Sequence, residues 1–149
     1  MSSAILGRVG AAPAQAVRIV LLNDNRLFAT ALHARVNQDP RFEIVGLASD
    51  GAAAAQLVEE VEPDVVLIDA GLPGDDPVVA TRLIMRSAAT SRVVIMASPD
   101  DDLDAVEAQN AGASVFLQKP RSAADLLETL ELAAILAQIR VPQAESDEP

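Results

Sequence analysis

The 149-residue chain has no cysteine, tryptophan or tyrosine, and its aromatic residues are three phenylalanines. Without cysteine there is no disulfide framework, thiolate metal site or cysteine nucleophile; a reducing compartment is permitted, and the cytoplasm is the plain expectation. So few rings leave little material for base-stacking platforms or aromatic ligand cages. Positive charge is also scarce: 11 Lys and Arg face 22 Asp and Glu, for a formal net charge of −11. Nucleic acid and anionic membrane surfaces both need clustered basic side chains, so neither is expected as a direct partner of this chain. No apolar stretch approaches the roughly 20 residues of a membrane span. The opening segment, residues 1–16, is rich in Ala and Gly, carries Pro13 and has Arg8 as its one basic residue. It makes a poor signal peptide and reads as a flexible tail.

What is present is apolar: 50% of the residues are hydrophobic, enough for one domain with a sizeable core. Val17 to Leu22 is an apolar run interrupted only by Arg18, and similar runs recur at Glu43 to Leu47, Val65 to Ile68, Arg92 to Ala97 and Ser114 to Leu117. Between them the spacing turns helical, first through Leu27, Phe28, Ala31, Leu32 and Val36, then through Ala53, Leu57, Val58 and Val61. A third helix is expected over about Pro77 to Ser87, with Pro77 in a tolerated first-turn position, and a fourth over about Asp100 to Asn110, opened by acidic residues. Ser122 is the expected N-cap of a fifth helix, with Asp125 three residues on, running to about Ile139. Five βα units with near-continuous apolar strands predict a doubly wound α/β domain over residues 17–139, its parallel sheet covered on both faces. Residues 140–149, with Glu145, Asp147 and Glu148, form an acidic tail or linker.

The chemistry gathers at strand ends. Asp69 closes the run Val65 to Ile68 and is followed at once by Ala70, Gly71, Leu72, Pro73 and Gly74, while Asn23-Asp24 follow the first strand and Lys119-Pro120 the fifth. In a doubly wound sheet the C-terminal strand ends share one edge, so these residues can line one pocket although far apart in sequence. Two carboxylates suit a hard cation such as Mg²⁺, which binds through one or two carboxylates plus a phosphate group.

Asp24, the segment PDVVLIDAGLP around Asp69 and GASVFLQKP through Lys119, on five alternating βα units, resemble the receiver domain of two-component response regulators, closest to the NarL/FixJ type. The likeness covers about Val17 to Gln138 and implies a flavodoxin-like five-stranded sheet in the order 2-1-3-4-5. It implies Asp69 as phosphoacceptor for a sensor histidine kinase, Mg²⁺ held by Asp24, Asp69 and the Gly71 carbonyl, and Lys119 as the phosphate-binding residue. Phe116 falls at the family's aromatic switch position. Such a domain signals rather than turning over metabolites, so no enzyme is expected.

Three positions depart from that pattern. Asn23 replaces the first member of the usual acidic pair, which weakens Mg²⁺ binding. Ala97 stands where a Ser or Thr hydroxyl would meet the phosphoryl group, with Ser98 one residue late and on the opposite side of an alternating strand. Pro77 replaces a Gly and fixes φ. These departures support an alternative reading, a degenerate receiver acting as a phosphorylation-independent interaction or dimerisation module. A metal-dependent phosphohydrolase is disfavoured, since no second Asp lies two residues after Asp69. The Asp100-Asp101-Asp102 run with Asp104 reads as helix capping and His33 as a solvated residue. In the last helix, Leu126, Leu130, Ala133 and Ala137 make one apolar stripe that can face the sheet, and Leu132, Ile135, Leu136 and Ile139 a second that wants another partner: the N-terminal tail, a further C-terminal domain or, at least as well, a homodimer seam.

Overall fold

Each apolar run forms a strand, and in the computed structural model, which describes residues 16–71, 76–87, 90–119 and 122–137, a helix follows every strand. The elements are β1 (Val17–Leu22), α1 (Arg26–Val36), β2 (Phe42–Ala48), α2 (Gly51–Val61), β3 (Val65–Asp69), α3 (Pro77–Ser87), β4 (Arg92–Ala97), α4 (Ala105–Ala111), β5 (Ala113–Gln118) and α5 (Ala123–Leu136). The strands are parallel and ordered β2-β1-β3-β4-β5, the flavodoxin-like arrangement expected. The connection reverses direction between β1 and β3, and ligands of such sheets bind beyond the carboxyl ends at that point.

Alternation along the buried strands sends their side chains into two cores. Ile19, Leu21, Leu67, Val94 and Met96 pack with Leu32 and Val36 of α1 and Leu130 and Ala133 of α5. Val20, Leu22, Val66, Ile68, Val93 and Ile95 pack with Val58 of α2, Ile84 of α3 and Ala108 of α4. Arg18, the one interruption of the β1 run, is put to use at the edge: its guanidinium donates to the carbonyls of Val61 and Glu62 at the end of α2, at 2.6 and 2.9 Å. A cation there meets carbonyls that the helix itself leaves without partners.

Several boundaries shift from the sequence-based expectation. The outer strands are longer than their apolar runs, from Phe42 to Ala48 and from Ala113 to Gln118. Helix α3 spans Pro77–Ser87 as expected, with the Asp76 carboxylate accepting from the Val78 N–H. The fourth helix is shorter than predicted: it begins at Ala105, with Asp104 as N-cap, because Asp101 is engaged elsewhere. Gly112 ends that helix at φ 122°, where a Cβ would lie 2.6 Å from Met85 Cγ. Ser122 occupies the N-cap of α5 but makes no side-chain capping bond, and the helix ends at Leu136. Leu27 and Ala31 face solvent, so the buried side of α1 is Ala29, Leu32 and Val36. On α5, Leu130, Ala133 and Ala137 are buried while Leu132, Ile135 and Leu136 are exposed, so the two stripes separate as predicted. Ala16, the last residue of the expected 1–16 tail, is buried; the rest of that tail, residues 140–149, the Leu72–Gly74 turn, Pro120, Ile139 and the Leu126 side chain lie outside the described residues. Among the described residues no helix is long and apolar enough to cross a membrane.

Candidate functional site

Strand register assembles the site. Leu22 of β1 pairs with Ile68 of β3, so the next residues, Asn23 and Asp69, stand side by side at the strand tips. Buried Asn23 donates from Nδ2 to Asp69 Oδ2 at 3.0 Å, and its Oδ1 accepts from the Asn25 N–H at 2.6 Å. Asn25 in turn caps α1 through the Phe28 N–H. The other Asp69 oxygen, Oδ1, accepts from the Gly71 N–H at 2.9 Å and meets the Lys119 ammonium at 2.7 Å. Lys119 is the chain's single lysine. It arrives one residue past β5, whose Gln118 pairs with Ala97 of β4. Asn23, Asn25, Phe28, Asp69, Met96 and Lys119 line a cleft of about 220 Å³.

A further carboxylate completes the charge pattern. Asp101 Oδ2 lies 3.1 Å from Lys119 Nζ and accepts from the Ser98 N–H at 2.7 Å, while the Asp101 N–H donates to the Ser98 carbonyl at 3.0 Å. The Ser98 N–H holds the Asp101 carboxyl below the ordinary carboxylate range; burial opposes this and Lys119 reinforces it. Burial presses the Lys119 ammonium down, but Asp69 and Asp101 together outweigh it and raise its pKa. The three charged groups meet over Gly71, where a Cβ would lie 2.9 Å from Lys119 Nζ and 3.0 Å from Asp101 Oδ1. A side chain at this position would have to displace the Lys119 and Asp101 side-chain ends.

Asp69 and Lys119 meet at the strand tips, joined by Asn23; Gly71 meets Asp69 through its N–H, whereas the expected role was its carbonyl on a metal. Asp24 stands at the same β1 tip, exposed, and does not line the cleft. Ala97 and half-buried Phe116 border a second, more open recess of about 340 Å³ with Ser98 and Pro99. His33 is half-buried rather than fully solvated. Asp101 was missed as a site residue, because an acidic run ahead of a helix reads first as capping. The signal that could have found it is a lone lysine leaving β5 beside a loop from the neighbouring strand. Among the described residues no group of three or more His, Cys, Asp or Glu side chains could hold a metal by itself. The donors at the strand tips, the Asp24 and Asp69 carboxylates and backbone carbonyls, are all hard oxygens. That set fits Mg²⁺ completed by a phosphate group and does not fit a soft or fully caged ion.

Fold and cleft together define a flavodoxin-like receiver. The sequence model of the response regulator receiver domain matches residues 19–131, and the chain belongs to that family. It is 30% identical over 118 residues to the transcriptional regulatory protein LiaR of Bacillus subtilis, covering 79% of this chain and 56% of that protein. It is 28% identical over 116 residues to the nitrate/nitrite response regulator protein NarL of Escherichia coli, covering 78% and 54%. The chain thus spans about half the length of these curated relatives. Among solved structures, the receiver domain of a NarL response regulator from Mycobacterium tuberculosis matches with a TM-score of 0.68 at 28% identity, covering 85% of this chain and 99% of that one. The response regulator domain of Thermotoga maritima CheB matches with a TM-score of 0.69 at 26% identity, covering 84% and 98%.

Proposed function

We propose that this chain is a cytoplasmic two-component receiver that accepts a phosphoryl group on Asp69 from a sensor histidine kinase. The observation that carries the reading is the 2.7 Å contact of the single lysine with the Asp69 carboxylate at the strand tips. In the transfer, an Asp69 carboxylate oxygen attacks phosphorus as the P–N bond to the donor imidazole breaks. The electron pair returns to the ring nitrogen, which takes a proton from solvent, and the product is a mixed acyl phosphate. Phosphoryl transfer needs positioning and charge neutralisation more than covalent help, and Lys119 and the Gly71 N–H supply both beside the acceptor. Asp24, Asp69 and the Gly71 carbonyl would hold Mg²⁺, which neutralises phosphoryl charge when bound. Asn23 lowers the anionic charge available to it.

The exposed stripe Leu132, Ile135 and Leu136 on α5 supports pairing of two copies through that helix. The net charge of −11 argues against direct contact with nucleic acid.

Incubation with Mg²⁺ and acetyl phosphate tests the reading. A mass gain of one phosphoryl group, stable in acid, labile in base and absent from Asp69→Ala, is the expected result. A folded wild-type protein that gains no mass overturns it.

A further inference from the structure

Lys119 is shared in this structure. One carboxylate on it, Asp69, comes from a core strand; the other, Asp101, comes from the loop between β4 and α4, and the two ion pairs measure 2.7 and 3.1 Å. Beyond Lys119, Asp101 is held by a reciprocal pair of hydrogen bonds with the Ser98 backbone three residues earlier. Helix α4 beyond it is seven residues long, buries Ala108 alone and leaves Val106 68% exposed. Leu103 of the loop and Ala111 of the helix add part-buried contacts with the core, and a segment held by so few side chains opens at lower cost than the strands.

We propose that Asp101 is a positioning residue for the phosphoryl site: it holds the Lys119 ammonium while Asp69 is unmodified and surrenders it when Asp69 is phosphorylated, which frees the β4–α4 loop. This rests on the phosphoacceptor reading of Asp69. Two physical effects drive the exchange in one direction. The acyl phosphate carries nearly two negative charges where the free carboxylate carried one, and adds three strong acceptor oxygens, and a compact ammonium on a flexible stem follows the stronger field. The Asp101 carboxylate is then left facing charge of its own sign. The three groups are also close together, since the Lys119 ammonium and an Asp101 oxygen both lie about 3 Å from where a Gly71 Cβ would stand, so a group added to Asp69 displaces the ends of these flexible side chains. Core strand β3 cannot yield and the loop can. Ala97 has no hydroxyl with which to sense the phosphoryl group, and the exchange at Asp101 gives the same loop a sensor built on charge.

The test compares wild type, Asp101→Asn and Asp101→Ala by mass spectrometry and amide hydrogen exchange. The Asn variant removes the charge but keeps an oxygen for the Ser98 N–H, so it separates the ion pair from the turn. Both variants are expected to form the acetyl phosphate adduct about three- to tenfold faster than wild type, since Lys119 is no longer shared. In wild type, adduct formation is expected to speed exchange across residues 99–104 at least about threefold, whereas the Asn variant starts at the faster rate and stays there. The proposal is overturned if Asp101→Asn matches wild type in both measurements while only Asp101→Ala differs, which assigns Asp101 to the turn. It is equally overturned if the wild-type adduct forms without any change in exchange. A wild-type protein with no adduct fails earlier, at the phosphoacceptor reading itself.

Discussion

Two clusters in this molecule place one cation between two carboxylates, at opposite edges of the sheet. At the C-terminal edge Lys119 lies between Asp69 and Asp101; at the N-terminal end of β2 Arg41 lies between Asp39 and Glu131 of α5. Burial does not distinguish them: side-chain exposures are 28, 18 and 14% in the first and 22, 14 and 39% in the second. Geometry does. Arg41 meets both Asp39 oxygens, at 3.0 and 2.7 Å, and its guanidinium lies 5.2 Å from the centroid of the Phe42 ring. A planar fork so committed is a clasp between β2 and α5. Lys119 is a point charge on a flexible stem, over a cleft and beside a glycine. The same charge composition gives structure where the donors are fixed and a site where they can be redirected.

Exchanging the losses is the strongest way to break that comparison. Lys119→Met should cut acetyl phosphate adduct formation at least about tenfold, a conservative figure beside the roughly 10²–10³ cost of losing one preorganised donor at a reacting group, while the urea midpoint moves little. Arg41→Met should do the reverse, costing about 1–2 kcal/mol by urea denaturation and leaving adduct formation at the wild-type rate. If Arg41→Met slows phosphorylation as much as Lys119→Met does, the division into clasp and site is wrong.

The two clusters also differed in how readily the sequence disclosed them. Asp69 and Lys119 were legible because apolar strands end at them, and strand ends of a doubly wound sheet share one edge. The five strands were legible for the same reason, as buried parallel strands are nearly uninterrupted apolar runs. Asp101 was not legible, because its partner is set by the path of a loop and not by any period, and three consecutive aspartates offer three equal candidates. The start of α4 was misplaced with it, since the acidic residues counted as a helix opening serve partly as ligands of Lys119. Glu131 and Arg41 lie 90 residues apart, and only the packing of α5 brings them together.

A smaller and two-signed effect is expected at Asn23. Asn23→Asp replaces the amide that donates to Asp69 Oδ2 at 3.0 Å with a second carboxylate. Without metal the two acids repel, and stability should fall by about 1–2 kcal/mol. With Mg²⁺ the added charge should lower the concentration that half-saturates adduct formation by several-fold, about five. A variant that loses stability and shows an unchanged Mg²⁺ requirement would sink the assignment of weakened metal binding to this position.

The smallest expected effect separates the clusters by pH. The Arg41 hydrogen bonds hold the Asp39 carboxyl below its ordinary range, with burial opposing, so the folded pKa is depressed. Its contribution is present above the unfolded pKa of roughly 4 and is lost as pH falls through the folded value. Urea midpoints taken downward from pH 6 should therefore drop less in Asp39→Asn than in wild type; parallel curves would remove Asp39 from the acid response. At the alkaline end the clusters part. Lys119, raised by its two carboxylates against burial, contributes fully below the unfolded lysine pKa and loses its contribution as pH climbs through the higher folded one. Arg41, raised by Asp39, stays charged throughout any accessible range. At alkaline pH the cleft's cation can be discharged and the clasp's cannot, so Lys119→Met should remove whatever alkaline fall in stability the charge pair causes, and Arg41→Met should leave it in place.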